Sequence, residues 1–307
     1  MKQLLRLYLP FVIAACFFVS CSDDDNDNTV VEYNANRNDT STEPALVRLE
    51  FPKVKGGNSR IIIHTCNDRF GINYSVEWDC DKRSQRWSCY QMYASNRVQA
   101  TKRYYPDQSK GETQYPFDPN LPSGFYFNSD PFRGSGYDHG HICPSADRLY
   151  SIDANKQTFY LTNMQPQRNV FNNGLWQKME EKLRSWISTG SKSEDTLYVC
   201  KGGTIDEVGS EGGVKDPLLA ILPNGLIVPK YFFMALLRKS KTGYKALAFW
   251  AEHLNEDHSN DPLGNYVINI HELERRTGID FFCNLPDNIE EEVETATTEN
   301  IKWLWGL

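Results

Sequence analysis

The sequence predicts an α+β fold in which helices flank a central, mostly antiparallel sheet. Short runs rich in β-branched and aromatic residues alternate with turn residues over most of the chain. Two pairs of these runs are separated by short turns, which is typical of β-hairpins and therefore of antiparallel pairing. Between Asn172 and Arg184, polar side chains instead recur at helical spacing. We therefore expect a helix that carries several polar groups.

The composition favours a single domain. Its net charge does not favour binding to nucleic acid through overall electrostatic attraction. The chain has 307 residues, of which 40% are apolar, so it can bury one large core. Its formal charge of −7 provides no cationic excess, and any phosphate-binding site must therefore be local. The cysteine spacings contain no Cys-x-x-Cys pair and do not indicate a zinc site.

Residues 1–20 have the pattern of a signal peptide. Two basic residues, Lys2 and Arg6, precede a mostly apolar run that is too short to span a bilayer comfortably. The segment that ends at Cys21 resembles the lipobox of bacterial lipoproteins, in which the cysteine is acylated, and a Ser/Asp run follows as in certain surface-exported lipoproteins. We therefore expect an outer membrane lipoprotein, anchored through Cys21 at the cell surface. The alternative is an ordinary signal peptide followed by an unrelated cysteine.

Residues 21–44 are predicted to form a lipidated, disordered tether, and residues 45–307 the folded domain. The tether is rich in Asp, Asn, Thr and Ser and lacks a periodic apolar pattern, so it buries too little surface to offset the entropy of ordering. The domain is expected to begin near Ala45, because the alternation of residues 46–51 predicts a first strand.

The remaining elements follow from similar patterns. A β-branched run predicts a strand at residues 60–64, and residues 73–78 and 86–92 flank a polar turn and predict a hairpin. Residues 101–131 look irregular because they are rich in Pro, Asp and Gly. An apolar run at residues 197–200, ahead of two glycines, predicts a buried strand. The later elements are a hairpin at 218–222 and 226–229, strands at 231–237 and 244–250, and a short helix at 269–278 that ends at Gly278.

The stretch from Tyr137 to Arg184 contains the polar and titratable side chains that are best suited to catalysis. It opens with two histidines separated by a glycine, whose missing side chain permits a bend or a close approach of the backbone. It ends on a helix that carries Asn172, Glu180 and Arg184. Taken alone, Asn172 would be a helix cap, and Glu180 with Arg184 would be a solvated ion pair one turn apart. The argument for catalysis rests on their joint occurrence.

The sequence Asp138-His139-Gly140-His141 resembles Asp-Arg-Gly-His, the signature of the DNA/RNA non-specific endonucleases, which have the ββα-metal (His-Me finger) nuclease fold. One position departs from the signature, since His139 stands in place of the arginine. The resemblance covers nearly all of residues 70–290. It continues, in the family's order, through Tyr160-Leu161-Thr162-Asn163, Pro166-Gln167, Asn172, Gly174, Trp176, Glu180, Arg184, Arg275-Arg276-Thr277-Gly278 and Leu285-Pro286-Asp287.

The resemblance implies the roles of the catalytic groups. His141 is the expected general base, because a neutral histidine accepts a proton from water near neutral pH. Asn172 is the expected ligand of one Mg²⁺, with Mn²⁺ as an alternative, since Mg²⁺ takes oxygen ligands and keeps several waters. Glu180 is expected to act through metal-bound water and Arg184 on the phosphate, and Asn163 completes the catalytic set.

Three further positions are expected to bind substrate: Asp138, His139 and Gln167. Histidine at position 139 is shorter than the family arginine and lacks its permanent charge and bidentate donors. We therefore expect weaker activity or a preference for lower pH, with the base and the metal ligand retained.

The expected function is hydrolysis of phosphodiester bonds in DNA and RNA, with little sequence preference. Two alternatives stay open. One is a catalytically weak nucleic-acid-binding lipoprotein, in which His139 marks the decay of the site. The other is a surface lipoprotein that binds glycans or a partner through its aromatic residues. Magnesium-dependent release of nucleotides separates the nuclease from both, and no protein partner is assigned.

Disulfides are expected among the six cysteines that follow Cys21, because the compartment is oxidising. The sequence does not choose among their connectivities. Cys143 lies close after His141, so a bridge there would stiffen the catalytic loop.

Overall fold

The computed structural model describes residues 33–187 and 194–307. The predicted signal peptide, Cys21 and the first part of the predicted tether lie outside these residues. In the described part of the chain, no helix is both long enough and apolar enough to span a membrane.

Within the described residues, a seven-stranded antiparallel sheet forms the centre of the fold, as expected. Its strands, in spatial order, are β1 (Ser59–Thr65), β2 (Ile72–Asp79), β3 (Ser84–Tyr93), β6 (Thr196–Gly203), β9 (Tyr231–Ser240), β10 (Gly243–Glu252) and β11 (Val267–Ile268). Two small sheets accompany it: β4 (Asp138–His141) with β5 (Met164–Gln167), and β7 (Leu218–Ile221) with β8 (Ile227–Pro229). The predicted hairpins correspond to β2–β3 and β7–β8 and are confirmed.

Helices lie mainly in the second half of the described chain. The α-helices are α1 (Ile152–Gln157), α2 (Asn169–Phe171), α3 (Gln177–Trp186), α4 (Ile270–Thr277), α5 (Asp287–Glu294) and α6 (Thr298–Trp305), and a π turn (Asn172–Trp176) joins α2 to α3. Short 3₁₀ helices occur at Pro44–Val47, Ala94–Asn96, Gln108–Lys110, Ser123–Phe125, Ser145–Asp147, Leu161–Asn163 and Leu263–Tyr266. The predicted helix at 269–278 is confirmed: Asn269 Oδ1 accepts a hydrogen bond from Glu272 N at 2.8 Å, and Gly278 ends it with a left-handed φ of +65°.

The central sheet separates two apolar cores, because successive residues of a strand point to opposite faces. On β6, Val199 belongs to one core and Cys200 to the other. The first core includes Trp176 of the π turn and Leu183 of α3, and the second includes residues of α4 and α5. Full burial of a side chain such as Leu183 contributes about 1.5–3 kcal/mol. The segment with the candidate catalytic groups is therefore fixed on the sheet by apolar packing.

Hydrogen bonds of the Gln165 side chain connect β5 to the central sheet, and β4 is held in turn by its pairing with β5. Its Oε1 accepts a hydrogen bond from Gly203 N at 2.6 Å, and its Nε2 donates to Gln85 O at 3.1 Å. β6 and β3 therefore set the position of the strand that carries the two histidines.

Two predictions near the start of the domain are corrected by the structure. Residues 46–51 do not form a strand; a 3₁₀ helix begins at Pro44, and the Glu43 side chain accepts a hydrogen bond from Ala45 N at 3.1 Å. Ordered structure also begins before residue 45, since Asn38 is buried and its Nδ2 donates to Pro52 O at 3.0 Å. This segment is held by side-chain hydrogen bonds and not by apolar burial, so its composition suggested disorder.

The prediction of disulfides is wrong for the described residues. The six cysteines of this part of the chain are free and buried: Cys66, Cys80, Cys89, Cys143, Cys200 and Cys283. Burial raises the pKa of their thiols, to about 12 for Cys143. The thiols act here as small apolar groups, and the loop after His141 is stiffened by hydrogen bonds instead.

Candidate active site

The two histidines of β4 lie on one side of the strand. β4 pairs with β5 in a register that places Asp138 opposite Gln167 and His141 opposite Met164. The extended backbone brings His139 and His141 to the same side, where the Tyr115 ring lies 3.6 Å from the first imidazole and 6.4 Å from the second, measured between ring centroids.

Gly140 is required by a close approach from β5. A Cβ atom at this position would lie 2.4 Å from Cδ of Gln167, a distance that real contacts do not reach. Gln167 is completely buried, and neither polar atom of its amide has a hydrogen-bond partner among the described residues. Gln167 does not line the cavity described below, so the geometry gives no support to its expected contact with substrate.

His141 is held as a neutral base. Its Nε2 is enclosed and has no hydrogen-bond partner among the described residues, while its backbone carbonyl accepts a hydrogen bond from Trp176 Nε1 at 3.3 Å. Burial, with a further contribution from the positive charge of Arg103, lowers the pKa of His141 to about 3. The imidazole is therefore a proton acceptor throughout the neutral range.

His139 is fixed by three neighbours. Its ring stacks on Tyr115, with an angle of 2° between the planes, and packs on Phe132 at 4.5 Å between centroids. Its Nε2 lies 3.0 Å from Oδ2 of Asp130. Burial opposes ionisation of Asp130, but hydrogen bonds from His139 and from the Phe132 amide outweigh it and lower the carboxyl pKa. The imidazole thus contacts a carboxylate of the protein on its Nε2 side.

Asn172 is oriented by Asp138. Oδ2 of Asp138 accepts hydrogen bonds from Asn172 Nδ2 and Asn169 Nδ2, both at 3.0 Å. The amide oxygen of Asn172 is therefore left for another partner. Asn172 opens the π turn, in which Gln177 N donates to Asn172 O, so the expected uninterrupted α-helix is absent. The π turn displaces Asn172 from α-helical register with α3, which begins at Gln177.

Glu180 is paired with a buried lysine. Lys201 Nζ donates to Glu180 Oε1 at 2.6 Å and lies 4.7 Å from the centre of the Trp176 ring. Lys201 is completely buried. Burial raises the pKa of Glu180, and the charge of Lys201 opposes that increase. Sequence reasoning missed Lys201, although a lysine within an otherwise apolar buried strand is a signal that could have been used.

Two arginines face the same space. Arg184 Nη1 donates to Asp147 Oδ1 at 3.1 Å, and the other oxygen of Asp147 accepts from Tyr90 at 2.8 Å. Arg103 donates through Nη1 to Ser145 Oγ. Arg103 was missed because it lies in the stretch at 101–131 that looks irregular, where nothing in the sequence marks it.

These groups line a cavity of about 510 Å³, which we call the main cavity. It brings together six of the predicted residues, Asp138, His139, His141, Asn172, Glu180 and Arg184, with Arg103, Tyr115, Tyr137, Pro144, Ser145, Ala146, Asn173 and Gln177. A neutral base, an amide oxygen, a buried carboxyl and two guanidinium groups therefore border one space. Such a set can accept a proton and bind an anionic phosphate.

Asn163 does not line the main cavity, so the geometry gives no support to its expected catalytic role. The residue is completely buried, and its Nδ2 donates to Cys143 O and Thr158 O, both at 2.8 Å. Its Oδ1 accepts from Cys143 N at 2.8 Å and from Ser88 Oγ at 3.2 Å. Every hydrogen-bonding position of the amide is used, and Asn163 therefore positions the loop that follows His141.

The described residues contain no group of three or more His, Cys, Asp or Glu side chains placed to hold a metal ion. A cation in the main cavity must therefore rely mainly on other oxygen donors, such as the Asn172 amide, water and phosphate. This donor set suits a hard cation that keeps part of its water shell.

The family follows from comparison with known proteins. The model of the DNA/RNA non-specific endonuclease family matches residues 63–288 of this chain. The chain belongs to the DNA/RNA non-specific endonuclease family. Membership makes it a nuclease, that is, a hydrolase that acts on phosphodiester bonds. It supports neither of the two alternative lipoprotein functions.

Several curated nucleases are similar to this endonuclease. A nuclease of Nostoc sp. is 28% identical over 232 residues, which cover 72% of this chain and 75% of the relative. The mitochondrial nuclease EXOG of Xenopus laevis is 26% identical over 221 residues, which cover 70% of this chain and 58% of the relative. Human mitochondrial endonuclease G is 25% identical over 203 residues, which cover 64% of this chain and 67% of the relative. The matched region thus spans less than two thirds of the EXOG relative.

The fold has a counterpart among solved structures. A chain from the crystal structure of the EndoG/EndoGI complex matches with a TM-score of 0.57 and 22% identity, over 75% of this chain and 89% of that chain. The expected ββα-metal nuclease fold is confirmed.

Proposed function

We propose that this endonuclease hydrolyses DNA and RNA with little sequence preference, with His141 as the general base and one Mg²⁺ held by Asn172. The observation that carries the proposal is the uncharged imidazole of His141, which lines the same cavity as the oriented Asn172 amide. Mn²⁺ fits the same donors.

His141 takes the proton. Its imidazole lines the main cavity and accepts a proton from a water molecule as the water oxygen forms a bond to phosphorus and the ester bond to the leaving oxygen breaks; that oxygen is protonated by solvent. A pKa of about 3 belongs to the cavity without substrate, and a bound phosphate raises it because a nearby negative charge favours the imidazolium. Base strength therefore increases when substrate is present.

The other residues of the main cavity bind the phosphate or orient the proposed metal ligand. Asp138 fixes the amide of Asn172, and Arg184 and Arg103 offer guanidinium groups to the phosphate. Glu180 would accept hydrogen bonds from the water around a bound Mg²⁺. Mg²⁺, when bound, supplies positive charge that stabilises the phosphate oxygens during the reaction. His139 contributes chiefly by holding Tyr115 and Asp130 in place.

The test is cleavage of plasmid DNA and of RNA with Mg²⁺ and with EDTA. We expect cleavage of both with Mg²⁺ only, and a loss of about 10²–10⁴-fold in kcat for His141→Ala without loss of nucleic-acid binding. His271→Ala is the matched control, because this exposed histidine lies on α4 behind the other face of the sheet. Wild-type rates in His141→Ala, or cleavage indifferent to EDTA, would contradict the proposal.

We also propose that the enzyme is an outer membrane lipoprotein at the cell surface, anchored through acylated Cys21. The support is the sequence alone: the signal-peptide pattern, the lipobox-like segment and the following Ser/Asp run. Cells that produce Cys21→Ser should release soluble, active enzyme, whereas continued membrane association of the variant would refute the anchor.

A further inference from the structure

A second cavity, of about 750 Å³, adjoins the main cavity. We call it the side cavity. It shares Tyr115 and His139 with the main cavity, and its other lining residues include Tyr105, Gln108, Gln114 and Arg133. The stacked pair of Tyr115 and His139 therefore forms a ridge between the two spaces. A chain bound at the main cavity can continue across this ridge into the side cavity.

Tyr105 gives the side cavity an unused aromatic surface. Its side chain is 74% exposed, and no other aromatic ring packs on it within the described residues. An exposed aromatic ring in a concave surface beside a nuclease site is a platform on which a nucleobase can stack, independent of its sequence.

The side cavity is lined by one guanidinium group, that of Arg133, and by two carboxylates. The exposed guanidinium of Arg133 makes no hydrogen bond or close ion pair within the described structure. The two carboxylates of the cavity are already engaged: Glu112 accepts from Tyr104 Oη at 2.8 Å and from the Asp107 amide at 2.9 Å, and Asp130 contacts His139 at 3.0 Å. Arg133 is attracted by the charge of Asp130, but its guanidinium donors are not hydrogen-bonded within the described residues and can donate to a phosphate.

We propose that the side cavity binds unpaired nucleotides next to the scissile phosphate, with a base stacked on Tyr105 and a phosphate on Arg133. The base must be unpaired and unstacked to reach the ring, because the bases of a duplex are already stacked on their neighbours. This subsite rests on the proposed nuclease function and makes single-stranded DNA and RNA, or frayed duplex ends, the better substrates.

The test compares three substrates: a single-stranded oligonucleotide, a blunt duplex of the same sequence, and the small diester bis(p-nitrophenyl) phosphate. Tyr105→Ala should raise KM for the single strand about ten-fold, the factor expected from loss of one stacked base, with kcat changed by less than about two-fold. The duplex and the small diester should be cleaved as by wild type. Tyr105→Trp should keep the low KM, since it retains a stacking surface.

Two further measurements make the result specific. Tyr33→Ala is the matched control, because Tyr33 is 73% exposed but does not line either cavity, and it should change nothing. Fluorescence anisotropy of the labelled single strand in EDTA measures binding without cleavage, and both Tyr105→Ala and Arg133→Ala should weaken it. Arg133→Ala should also reduce its salt dependence.

The outcomes separate the subsite from the function on which it rests. Unchanged KM and unchanged binding in Tyr105→Ala would overturn the subsite, and an equal KM increase for single strand and duplex would overturn its requirement for unpaired bases. A wild-type enzyme that cleaves none of the three substrates with Mg²⁺ would instead contradict the proposed function.

Discussion

The amide nitrogen Nδ2 of Asn172 donates a hydrogen bond to Oδ2 of Asp138 at 3.0 Å. The same carboxylate oxygen accepts from Asn169 Nδ2, so Asp138 holds two side chains of the segment that opens the π turn. Asp138 was expected to bind substrate. Its observed contacts make it the residue that turns the amide oxygen of Asn172 away from β4 and fixes it in one orientation.

The hydrogen bond between Asn172 and Asp138 predicts how substitutions at these two positions change the activity and its dependence on Mg²⁺. Asn172→Ala should lose nearly all activity at any practical Mg²⁺ concentration, because it removes the proposed ligand. Asn172→Asp should retain a measurable fraction and reach half-maximal activity at lower Mg²⁺, but it also places two carboxylates in contact. The double variant Asp138→Asn with Asn172→Asp removes that repulsion and should be more active than Asn172→Asp alone.

Activity measured as a function of Mg²⁺ concentration checks the prediction, with Asp138→Asn as the single-variant control. If Asn172→Ala cleaves like wild type, the metal ligand has been assigned to the wrong residue. If the double variant is no better than Asn172→Asp, the contact with Asp138 does not control the ligand.

The contact between Lys201 and Glu180 predicts a shift in pH dependence. Burial raises the pKa of Glu180 and Lys201 counteracts it, so Lys201→Met should raise that pKa further. A protonated Glu180 has lost its negative charge and carries an O–H donor, so it would be a poorer acceptor of hydrogen bonds from water around a bound Mg²⁺. We therefore expect kcat/KM to fall about 10–100-fold at neutral pH and to recover in part at alkaline pH.

The pH profile of kcat/KM is the measurement. Glu180→Gln is the control, because it cannot ionise and should show a low activity without alkaline recovery. Thermal unfolding of each variant reports whether the fold is retained. A Lys201→Met profile that matches wild type would remove Lys201 from the site.

Most local elements, and six residues that line the main cavity, could be predicted from the sequence because their signals are local. Runs rich in β-branched and aromatic residues predicted β2, β3, β9 and β10, and the Asp-His-Gly-His motif identified the segment that forms β4. Residues such as Arg103 and Lys201 could not be predicted as partners. They reach the main cavity and Glu180 only through the pairing of distant segments, and pairing of this kind leaves no periodic pattern.

The differences between expectation and structure also have a physical cause. The resemblance placed Asn163 in the catalytic set, whereas two hydrogen bonds of its amide go to Cys143, in the loop after His141, and two more go to Thr158 and Ser88. The oxidising compartment predicted disulfides, but the six cysteines of the described residues are free and buried. In both cases the sequence showed which chemical group was present, but only the three-dimensional structure showed which groups it contacts.

The close packing of Gln167 on Gly140 predicts a specific steric effect. Gly140→Ala places a methyl group 2.4 Å from Cδ of Gln167, so β4 and β5 must move apart or the buried amide must be displaced. We expect lower thermal stability and a loss of activity, because β4 carries His141 and Asp138. Overpacking of this kind typically costs about 1–3 kcal/mol.

The double variant Gly140→Ala with Gln167→Ala provides the control, because it removes the side chain that the methyl group meets. It should recover part of the stability and activity lost in Gly140→Ala, as measured by thermal unfolding and plasmid cleavage. Equal losses in the single and double variants would show that backbone conformation, and not contact with Gln167, requires the glycine.

The last prediction concerns a group of carboxyls on α5 and just before it, which lie near the first described residues of the chain. Asn36 Nδ2 donates to Glu290 Oε1 at 2.8 Å and to Asp280 Oδ2 at 3.1 Å, which ties residues 33–38 to the C-terminal helices. Burial, and then the neighbouring carboxyls, raise the pKa of Glu294 to about 10, and burial raises the pKa of Glu290 to about 7. Glu294 is only 8% exposed.

The sign of the pH effect follows from these shifts. In the unfolded chain these carboxyls ionise near their ordinary pKa of 4.5, so the folded protein binds more protons above that pH. Their contribution to stability is complete below about pH 4.5 and is lost progressively as pH rises through about 7 and toward 10. Replacement of Glu294 by Gln keeps the shape of the side chain and removes its ionisation, so the variant should resist alkaline conditions better.

We expect Glu294→Gln to raise the thermal midpoint at pH 9 by about 3 °C or more, which corresponds to roughly 1 kcal/mol in a domain of this size, and to change it little at pH 5. Glu292→Gln is the matched control, because this glutamate lies on the same helix but is exposed. Thermal unfolding from pH 5 to 9.5 is the measurement. A midpoint in Glu294→Gln that falls with pH as steeply as in wild type and in Glu292→Gln would mean that Glu294 is not the group whose ionisation destabilises the fold.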